Sequence, residues 1–229
     1  MTNDEVFLIT GASTGIGAAT ARAAADAGYR VALAARSEDK LQALAGELGG
    51  EGRALALPCD VTKWEDQESM VTATLDAFGR IDVAFANAGF GAQRGFDKET
   101  PEFWREMVLT NVLGVAYTIR ATLPALREST GHYVLTSSVA GRRPLQGSLY
   151  SATKFAVTAM GEALRQDVNG TGIRVTLIAP GMVDTPFFEN RPTQALEADD
   201  VARAVMYAVS QPPHVDVNEV LIRPTEQEG

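Results

Sequence analysis

Cysteine and histidine are scarce in this chain of 229 residues, which contains one cysteine, Cys59, and two histidines. A single cysteine excludes an intrachain disulfide and any metal site built from several cysteines, and it fits a reducing compartment. Basic residues are also few, because 20 lysines and arginines are set against 29 aspartates and glutamates, for a formal net charge of -9. That balance gives no general attraction to nucleic acid or to an anionic membrane.

Long apolar runs are missing as well. No stretch approaches the ~20 apolar residues that cross a bilayer, and the start of the chain is polar and acidic. We therefore expect a cytoplasmic protein with a small-molecule substrate and with no nucleic acid, membrane or metal partner.

Short continuous apolar runs alternate with segments of helical pattern along the whole chain. Such runs are typical of strands that are covered on both faces of a parallel sheet. The pattern predicts one Rossmann-type α/β domain over residues 1–229, with a doubly wound seven-stranded parallel sheet and helices on both faces. Strands are predicted at 5–10, 31–35, 54–57, 81–86, 133–136, 174–179 and 217–222, with helices that include 18–27, 63–78, 101–122, 147–169 and 199–210 and one capped by Ser37.

A glycine-rich turn follows the first predicted strand directly. Its glycines permit a tight turn and a close approach of the backbone to a pyrophosphate, whose charge would be met by free amides and by the positive end of the next helix. The spacing Gly-x-x-x-Gly-x-Gly differs from the commoner Gly-x-Gly-x-x-Gly fingerprint. The turn predicts dinucleotide binding through Gly11, Ser13, Thr14, Gly15, Ile16 and Gly17.

A tyrosine and a lysine lie four residues apart in the predicted helix at 147–169. At this spacing Tyr150 and Lys154 share one face of the helix. Free tyrosine, with a pKa near ~10, is a sluggish proton donor or base at neutral pH, but an adjacent cation stabilises the phenolate and lowers that pKa. The pair therefore predicts general acid/base chemistry on a carbonyl or an alcohol.

Short motifs with these residues occur in a fixed order, and that order and approximate spacing resemble the short-chain dehydrogenase/reductase family over essentially the whole chain. The resemblance implies a compact single-domain member, nearest in look to NADP-dependent 3-hydroxy acid and serine dehydrogenases through residues 199–225. The motifs are Thr10-Gly11-x-x-x-Gly15-Ile16-Gly17, Asp60, Asn87-Ala88-Gly89, Asn111, Ser138, Tyr150-x-x-x-Lys154 and Pro180-Gly181.

Four residues resemble the catalytic set of that family. Tyr150 resembles the proton donor in carbonyl reduction, and Lys154 the cation that lowers its pKa and binds the nicotinamide ribose. Ser138 resembles the residue that holds the substrate oxygen, and Asn111 the residue that holds a water beside the lysine in a proton relay. The spacing from Ser138 to Tyr150 is one residue shorter than is usual in the family, so Ser137 stays an alternative to Ser138.

The end of the second predicted strand bears on the choice of cofactor. An NAD-preferring site would place an acidic residue there for the ribose 2′-hydroxyl, but Arg36 and Ser37 instead offer a guanidinium and a hydroxyl to a 2′-phosphate. We expect NADP (NADPH), with NAD less favoured, although many NADP-using members carry a basic residue where this chain has Thr14. By resemblance, further cofactor contacts are Asp60 and Val61 at the adenine, Asn87, Ala88 and Gly89 along its ribose, and Pro180, Gly181, Val183 and Thr185 at the nicotinamide, besides Tyr150 and Lys154.

The leading prediction is an NADP(H)-dependent oxidoreductase that transfers a hydride between nicotinamide and a secondary alcohol or carbonyl compound, possible substrates being small 3-hydroxy acids. Two alternatives stay open, namely a 3-ketoacyl-thioester reductase and a non-catalytic NADP-binding sensor or scaffold. Residues 89–99 and 182–197 follow strand ends, so both are predicted walls of the site and 182–197 a substrate lid. Arg142 and Arg143 are a candidate clamp for a substrate carboxylate.

The resemblance also implies a homo-oligomer, a tetramer or a dimer, assembled through long helices. Apolar residues are available for such contacts, although the same residues would serve equally well in the core. They are Phe103, Trp104, Met107, Phe155 and Met160.

Overall fold

Helices and strands alternate in the computed structural model, which describes residues 4–186 and 192–227. The first half contains β1 (Val6–Thr10), α1 (Gly15–Asp26), β2 (Arg30–Ala35), α2 (Glu38–Glu47), β3 (Ala54–Pro58), α3 (Trp64–Phe78) and β4 (Val83–Ala86). The second half contains α4 (Pro101–Val108), α5 (Val115–Ser129), β5 (His132–Thr136), α6 (Leu149–Asp167), β6 (Arg174–Pro180), β7 (Val183–Asp184), β8 (Leu196–Glu197), α7 (Ala198–Val209) and β9 (Glu219–Ile222).

Seven of these strands form one parallel sheet in the order β3-β2-β1-β4-β5-β6-β9. β1 pairs with β2 on one side and with β4 on the other, so the strand order reverses between β1 and β4. Ligands of such sheets bind outside the carboxyl ends of the strands at this reversal. The prediction of a doubly wound Rossmann-type fold is confirmed, and its switch point lies at the glycine turn after Thr10.

Apolar side chains of the strands pack into two layers, one on each face of the sheet. In β1, Phe7 and Ile9 belong to one layer and Leu8 to the other, and all of them are fully buried. The first layer includes core residues of α1, α2 and α7, whereas the second includes core residues of α3, α5 and α6. The strands read as continuous apolar runs because helices cover both faces.

The helix predicted at 101–122 extends to residue 129 and is interrupted. Between α4 and α5 the chain forms a π-helical turn, Leu109–Gly114, which contains Asn111. Turns of this kind are frequent at functional sites. The spacing of apolar residues predicts a helix here but does not reveal a local change in hydrogen bonding.

Two short strands lie in the segment predicted as a lid. β7 and β8 pair in parallel and form a second, two-stranded sheet, Val183 with Leu196 and Asp184 with Glu197. Residues 187–191 of the predicted lid lie outside the described residues. The role of 182–197 as a lid stays a prediction.

The apolar residues considered for subunit contacts differ in exposure. Met107 is fully buried in the core, whereas Phe155 is exposed. Phe103 packs edge to face against Phe90 with 5.3 Å between ring centroids. Homo-oligomer formation stays a prediction. Among the described helices, none combines the length and apolar character needed to cross a membrane.

Candidate active site

Three glycines shape the turn between β1 and α1. Gly11 and Gly15 have φ angles of 68° and 55°, a conformation that other residues rarely adopt. A Cβ on Gly17 would overlap the carbonyl oxygen of Gly11. The first turn of α1, which starts after Thr14, contains no acidic residue. The free backbone amides of this first turn and the helix dipole therefore favour the binding of an anion. Ser13 and Ile16 lie in the same stretch of chain.

Asn87 joins this turn to the ends of the neighbouring strands. Its Nδ2 donates to the Thr10 carbonyl oxygen at 3.1 Å, and its Oδ1 accepts from the Thr136 hydroxyl at 3.1 Å. The Thr10 hydroxyl in turn accepts from the backbone amides of Asn87 and Ala88 at 3.1 and 3.2 Å. These bonds hold the carboxyl ends of β1, β4 and β5 together at the switch point.

The first turns of α6 bring Tyr150 and Lys154 to the same place. Ser148 caps the helix by accepting a hydrogen bond from the Ser151 amide at 3.2 Å. Lys154 is 5% exposed, and its Nζ donates to the Thr136 carbonyl oxygen at 2.8 Å. The same Nζ lies 5.6 Å from the centre of the Tyr150 ring. The two side chains predicted to share a helix face are therefore neighbours at the end of β5.

Burial determines the direction of the Tyr150 pKa in the protein without a cofactor, and the contribution of Lys154 to lowering that pKa stays a prediction. Burial raises the pKa of Tyr150 to about 12, although a side-chain hydrogen bond with Ser138 acts in the opposite direction. Burial also lowers the pKa of Lys154 to about 8. Desolvation disfavours the charged form of both groups, and helical spacing alone does not reveal it. Tyr150 is therefore a neutral phenol near pH 7, as a proton donor requires.

The two candidate serines have different surroundings. Ser137 Oγ donates to the Lys154 carbonyl oxygen at 3.3 Å and lies 2.7 Å from Thr158 Oγ1, inside the packing between β5 and α6. Ser138 Oγ donates to the Pro180 carbonyl oxygen at 3.3 Å and hydrogen-bonds the Tyr150 side chain. The geometry therefore favours Ser138 as the hydroxyl that shares the site with Tyr150, and the shortened loop does not displace it.

Asn111 is buried, and both polar atoms of its side chain make hydrogen bonds. Its Oδ1 accepts from the Phe90 amide at 3.0 Å, and its Nδ2 donates to the Phe90 carbonyl oxygen at 2.8 Å and to Thr153 Oγ1 at 3.2 Å. A Cβ on Gly89 would lie 3.1 Å from Asn111 Oδ1 and 3.8 Å from Lys154 Nζ. Asn111 thus fixes the loop after β4 beside the lysine, and its part in a proton relay stays a prediction.

A concavity of about 420 Å³ lies at the start of α2. Ser37 occupies the N-cap position but, within the described chain, its side chain makes none of the capping hydrogen bonds expected from the sequence. Lys40, which the sequence analysis did not single out, also lies beside this concavity. The lining residues are Arg36, Ser37, Glu38, Asp39 and Lys40.

Asp60 lies close to this concavity. Burial would raise the pKa of its carboxyl group, but hydrogen bonds from the Thr62 side chain and backbone, together with the charge of Arg36, lower it overall. The Thr62 amide and hydroxyl donate to Asp60 Oδ1 at 3.0 and 2.8 Å. Val61 is buried against the π-helical turn, since a Cβ on Gly114 would lie 2.8 Å from its Cγ2. Arg36 and Asp60 therefore belong to one region of the crevice.

The segment after β6 forms the opposite wall. Val183 and Thr185 are both buried there. A Cβ on Gly15 would lie 3.2 Å from Cβ of Thr185, so Thr185 packs directly against the glycine turn. Of the cofactor contacts predicted after β6, Thr185 is thus brought against Gly15 of the turn.

The paired arginines do not form a clamp. Arg142 makes a bidentate ion pair with Glu219 of β9. Its Nε donates to Oε1 at 2.7 Å, and its Nη2 donates to Oε2 at 2.8 Å. Its charge is therefore neutralised by the edge strand. Arg143 is exposed.

Comparison with known proteins agrees with this geometry. The family described as short chain dehydrogenase matches residues 5–196. An uncharacterized oxidoreductase of Staphylococcus haemolyticus is 40% identical over 227 residues, covering 97% of this chain and 98% of the relative. The chain therefore belongs to the short-chain dehydrogenase family, and it is an oxidoreductase of that family.

Solved structures show the same relationship. An alcohol dehydrogenase from the archaeon Thermococcus sibiricus, complexed with 5-hydroxy-NADP, is 34% identical with a TM-score of 0.92, and the match covers 98% of each chain. The closed form of a serine dehydrogenase complexed with NADP+ is 32% identical with a TM-score of 0.90, covering 98% of this chain and 96% of that chain.

The contacts of the two serines predict different effects of substitution on turnover. Ser138→Ala should lower the oxidoreductase turnover by about 100-fold, because it removes a hydroxyl beside Tyr150, and should also lower the free energy of unfolding by about 1 kcal/mol, since that hydroxyl is hydrogen-bonded to Pro180. Ser137→Ala should keep most of the turnover but lower the free energy of unfolding by about 1 kcal/mol, since it removes a buried hydrogen bond. Steady-state kinetics and thermal denaturation of both variants measure this, and the reverse pattern would assign the active hydroxyl to Ser137.

Proposed function

We propose that this chain is an NADP(H)-dependent oxidoreductase that interconverts a small secondary alcohol and the corresponding carbonyl compound. The observation that carries the proposal is the convergence of Ser138, Tyr150 and Lys154 at the carboxyl end of β5, beside the glycine turn. When bound, the nicotinamide cofactor supplies or accepts the hydride.

The chain's own residues handle the proton and the developing charge. In the reducing direction the neutral Tyr150 phenol donates its proton to the substrate oxygen, and the Ser138 hydroxyl holds that oxygen in place. The Lys154 ammonium stabilises the phenolate that remains. In the oxidising direction Tyr150 accepts the proton of the alcohol, which requires the phenolate.

Residues at the start of α2 fit the additional phosphate of NADP. Arg36 and Lys40 provide two cations around the concavity, Ser37 provides a hydroxyl that makes no capping bond among the described residues, and no acidic residue ends β2. The two structural relatives are complexed with NADP+ or a derivative of NADP, which supports the same cofactor here. Glu38 and Asp39 also line the concavity, and Arg36 is balanced in part by Asp60.

Small hydroxy acids are the substrate class to test first. Serine dehydrogenase, at 32% identity, acts as its name states on a small hydroxy acid. In this chain Arg143 is the exposed cation of the loop after Ser138, whereas Arg142 is bound to Glu219.

A substitution of the phenol tests the proposed chemistry. Tyr150→Phe should lower carbonyl-dependent oxidation of NADPH by about 1,000-fold, because it removes the proton donor, while the binding of NADPH changes little. The experiment follows NADPH absorbance with a panel of small aldehydes, ketones, 3-oxo acids and a 3-ketoacyl thioester. Full turnover by the variant would overturn the assignment of Tyr150. Binding of NADPH by the wild type without turnover of any compound would favour the sensor alternative.

The pKa of Lys154 predicts the pH profile of reduction. Lys154 loses its charge as the pH rises through about 8, whereas Tyr150 stays protonated to about 12. The value of kcat/KM for NADPH, which reports the free enzyme, should therefore fall above about pH 8. Lys154→Arg should be less active but should lose this fall, because the guanidinium stays charged. A wild-type profile that is flat up to about pH 10 would contradict the prediction.

The cations at α2 predict how the cofactor is chosen. Arg36→Ala should raise KM for NADPH about 10- to 100-fold, and Lys40→Ala by a smaller factor, because each removes a charged contact with the 2′-phosphate. KM for NADH should change less than about twofold in both variants. Arg127→Ala, which removes an exposed cation of α5, is the control and should leave both constants unchanged. An equal rise of KM for NADH and for NADPH would contradict the prediction that these cations select NADPH over NADH.

A further inference from the structure

The carboxyl-terminal turn reaches the wall of the crevice formed after β6. The Gly181 amide donates to the Ile222 carbonyl oxygen at 2.7 Å, which continues the pairing of β6 with β9 by one residue. Beyond β9, the Gln227 amide donates to the Pro224 carbonyl oxygen at 3.1 Å, so the chain turns back. This turn directs the Gln227 side chain over Gly181 and Met182.

Both backbone polar groups of Met182 are held by distant parts of the chain. Its amide donates to Gln227 Oε1 at 2.8 Å, and its carbonyl oxygen accepts from the Leu196 amide at 2.9 Å. The first bond fixes the peptide to the carboxyl-terminal turn, and the second fixes it to β8. The Met182 peptide, where the chain leaves β6, is therefore held by two hydrogen bonds, one to Gln227 and one to Leu196.

Gly181, the residue before Met182, lies against the same Gln227 side chain. Gly181 does not have a positive φ, so its backbone conformation is open to other residues. A Cβ at this position, however, would overlap Gln227 Oε1 and would lie 3.0 Å from Cγ of Arg223. The end of the Gln227 side chain therefore packs directly over Gly181.

We propose that Gln227 is a positioning residue that fixes Met182 and, through it, the wall segment Val183 to Thr185. Val183 and Thr185 are buried immediately after Met182, and Thr185 packs against Gly15 of the glycine turn. A displacement of the Met182 peptide therefore changes the width of the crevice between β6 and the turn. This inference rests on the proposed function, because it takes that crevice to be the cofactor site.

Two substitutions at one position separate the hydrogen bond from the bulk of the side chain. Gln227→Leu keeps a similar size but removes the acceptor, whereas Gln227→Glu keeps an oxygen that accepts from the Met182 amide. The Leu variant should raise the dissociation constant and KM for NADPH about tenfold, the range expected for the loss of one hydrogen bond, with kcat changed by less than about twofold. The Glu variant should stay within about twofold of the wild type. Gln166→Leu, on the exposed last turn of α6, is the matched control and should behave as the wild type.

Amide exchange in the protein without cofactor tests the contact itself. Hydrogen–deuterium exchange of the Met182 amide should be faster in Gln227→Leu than in the wild type and in Gln227→Glu, with the melting temperature changed by less than about 2 °C. Unchanged protection in the Leu variant would overturn the proposal, and so would equal weakening of NADPH binding by Leu and Glu. If the wild type neither binds nor oxidises NADPH, the proposed function fails, and exchange alone decides whether Gln227 holds Met182.

A double-mutant cycle provides a second measurement. Gly181→Ala should weaken NADPH binding, because the new Cβ displaces the Gln227 side chain. In a Gln227→Ala background the same substitution should cost less, since the overlapping atom is gone, so the two effects should be non-additive. Strict additivity would contradict a direct contact between these positions.

Discussion

The hydrogen bond from the buried Lys154 ammonium to the Thr136 carbonyl oxygen is the interaction on which the rest of the site depends. A buried ammonium is costly unless it is paired or hydrogen-bonded, and the carboxyl end of β5 supplies a carbonyl oxygen because α6 begins close to it. Thr136 also donates its hydroxyl to Asn87, which binds the end of β1. One residue at the end of β5 thus connects the lysine with the switch point of the sheet.

The same burial determines the protonation states of the site. Desolvation acts on Lys154 and Tyr150 in opposite directions on the pKa scale, but in both cases it favours the uncharged form. A neutral phenol beside a lysine that is charged below about pH 8 is ready to donate a proton. Oxidation of an alcohol needs the phenolate instead, and the protein alone disfavours it. These protonation states therefore suit the proposed role of Tyr150 as a proton donor near neutral pH.

The local signals in the sequence predicted the sheet, the glycine turn and the helix face shared by Tyr150 and Lys154, because each depends on residues close together in the chain. What the sequence did not reveal depends on contacts across the fold. The burial that raises the pKa of Tyr150, the π-helical turn around Asn111 and the ion pair between Arg142 and Glu219 require the packed structure.

Gly181 shows that a residue of a motif can make a second contact that the sequence does not reveal. The resemblance assigns this glycine to the cofactor, which stays a prediction, and in the structure it also lies against the side chain of Gln227, 45 positions after Met182. A hydrogen bond over that separation has no sequence period, so neither helical nor strand patterns predict it. The turn that contains Gln227 follows β9, which pairs with β6. The edge strand thus contributes to the shape of the site although it contains none of the predicted catalytic residues.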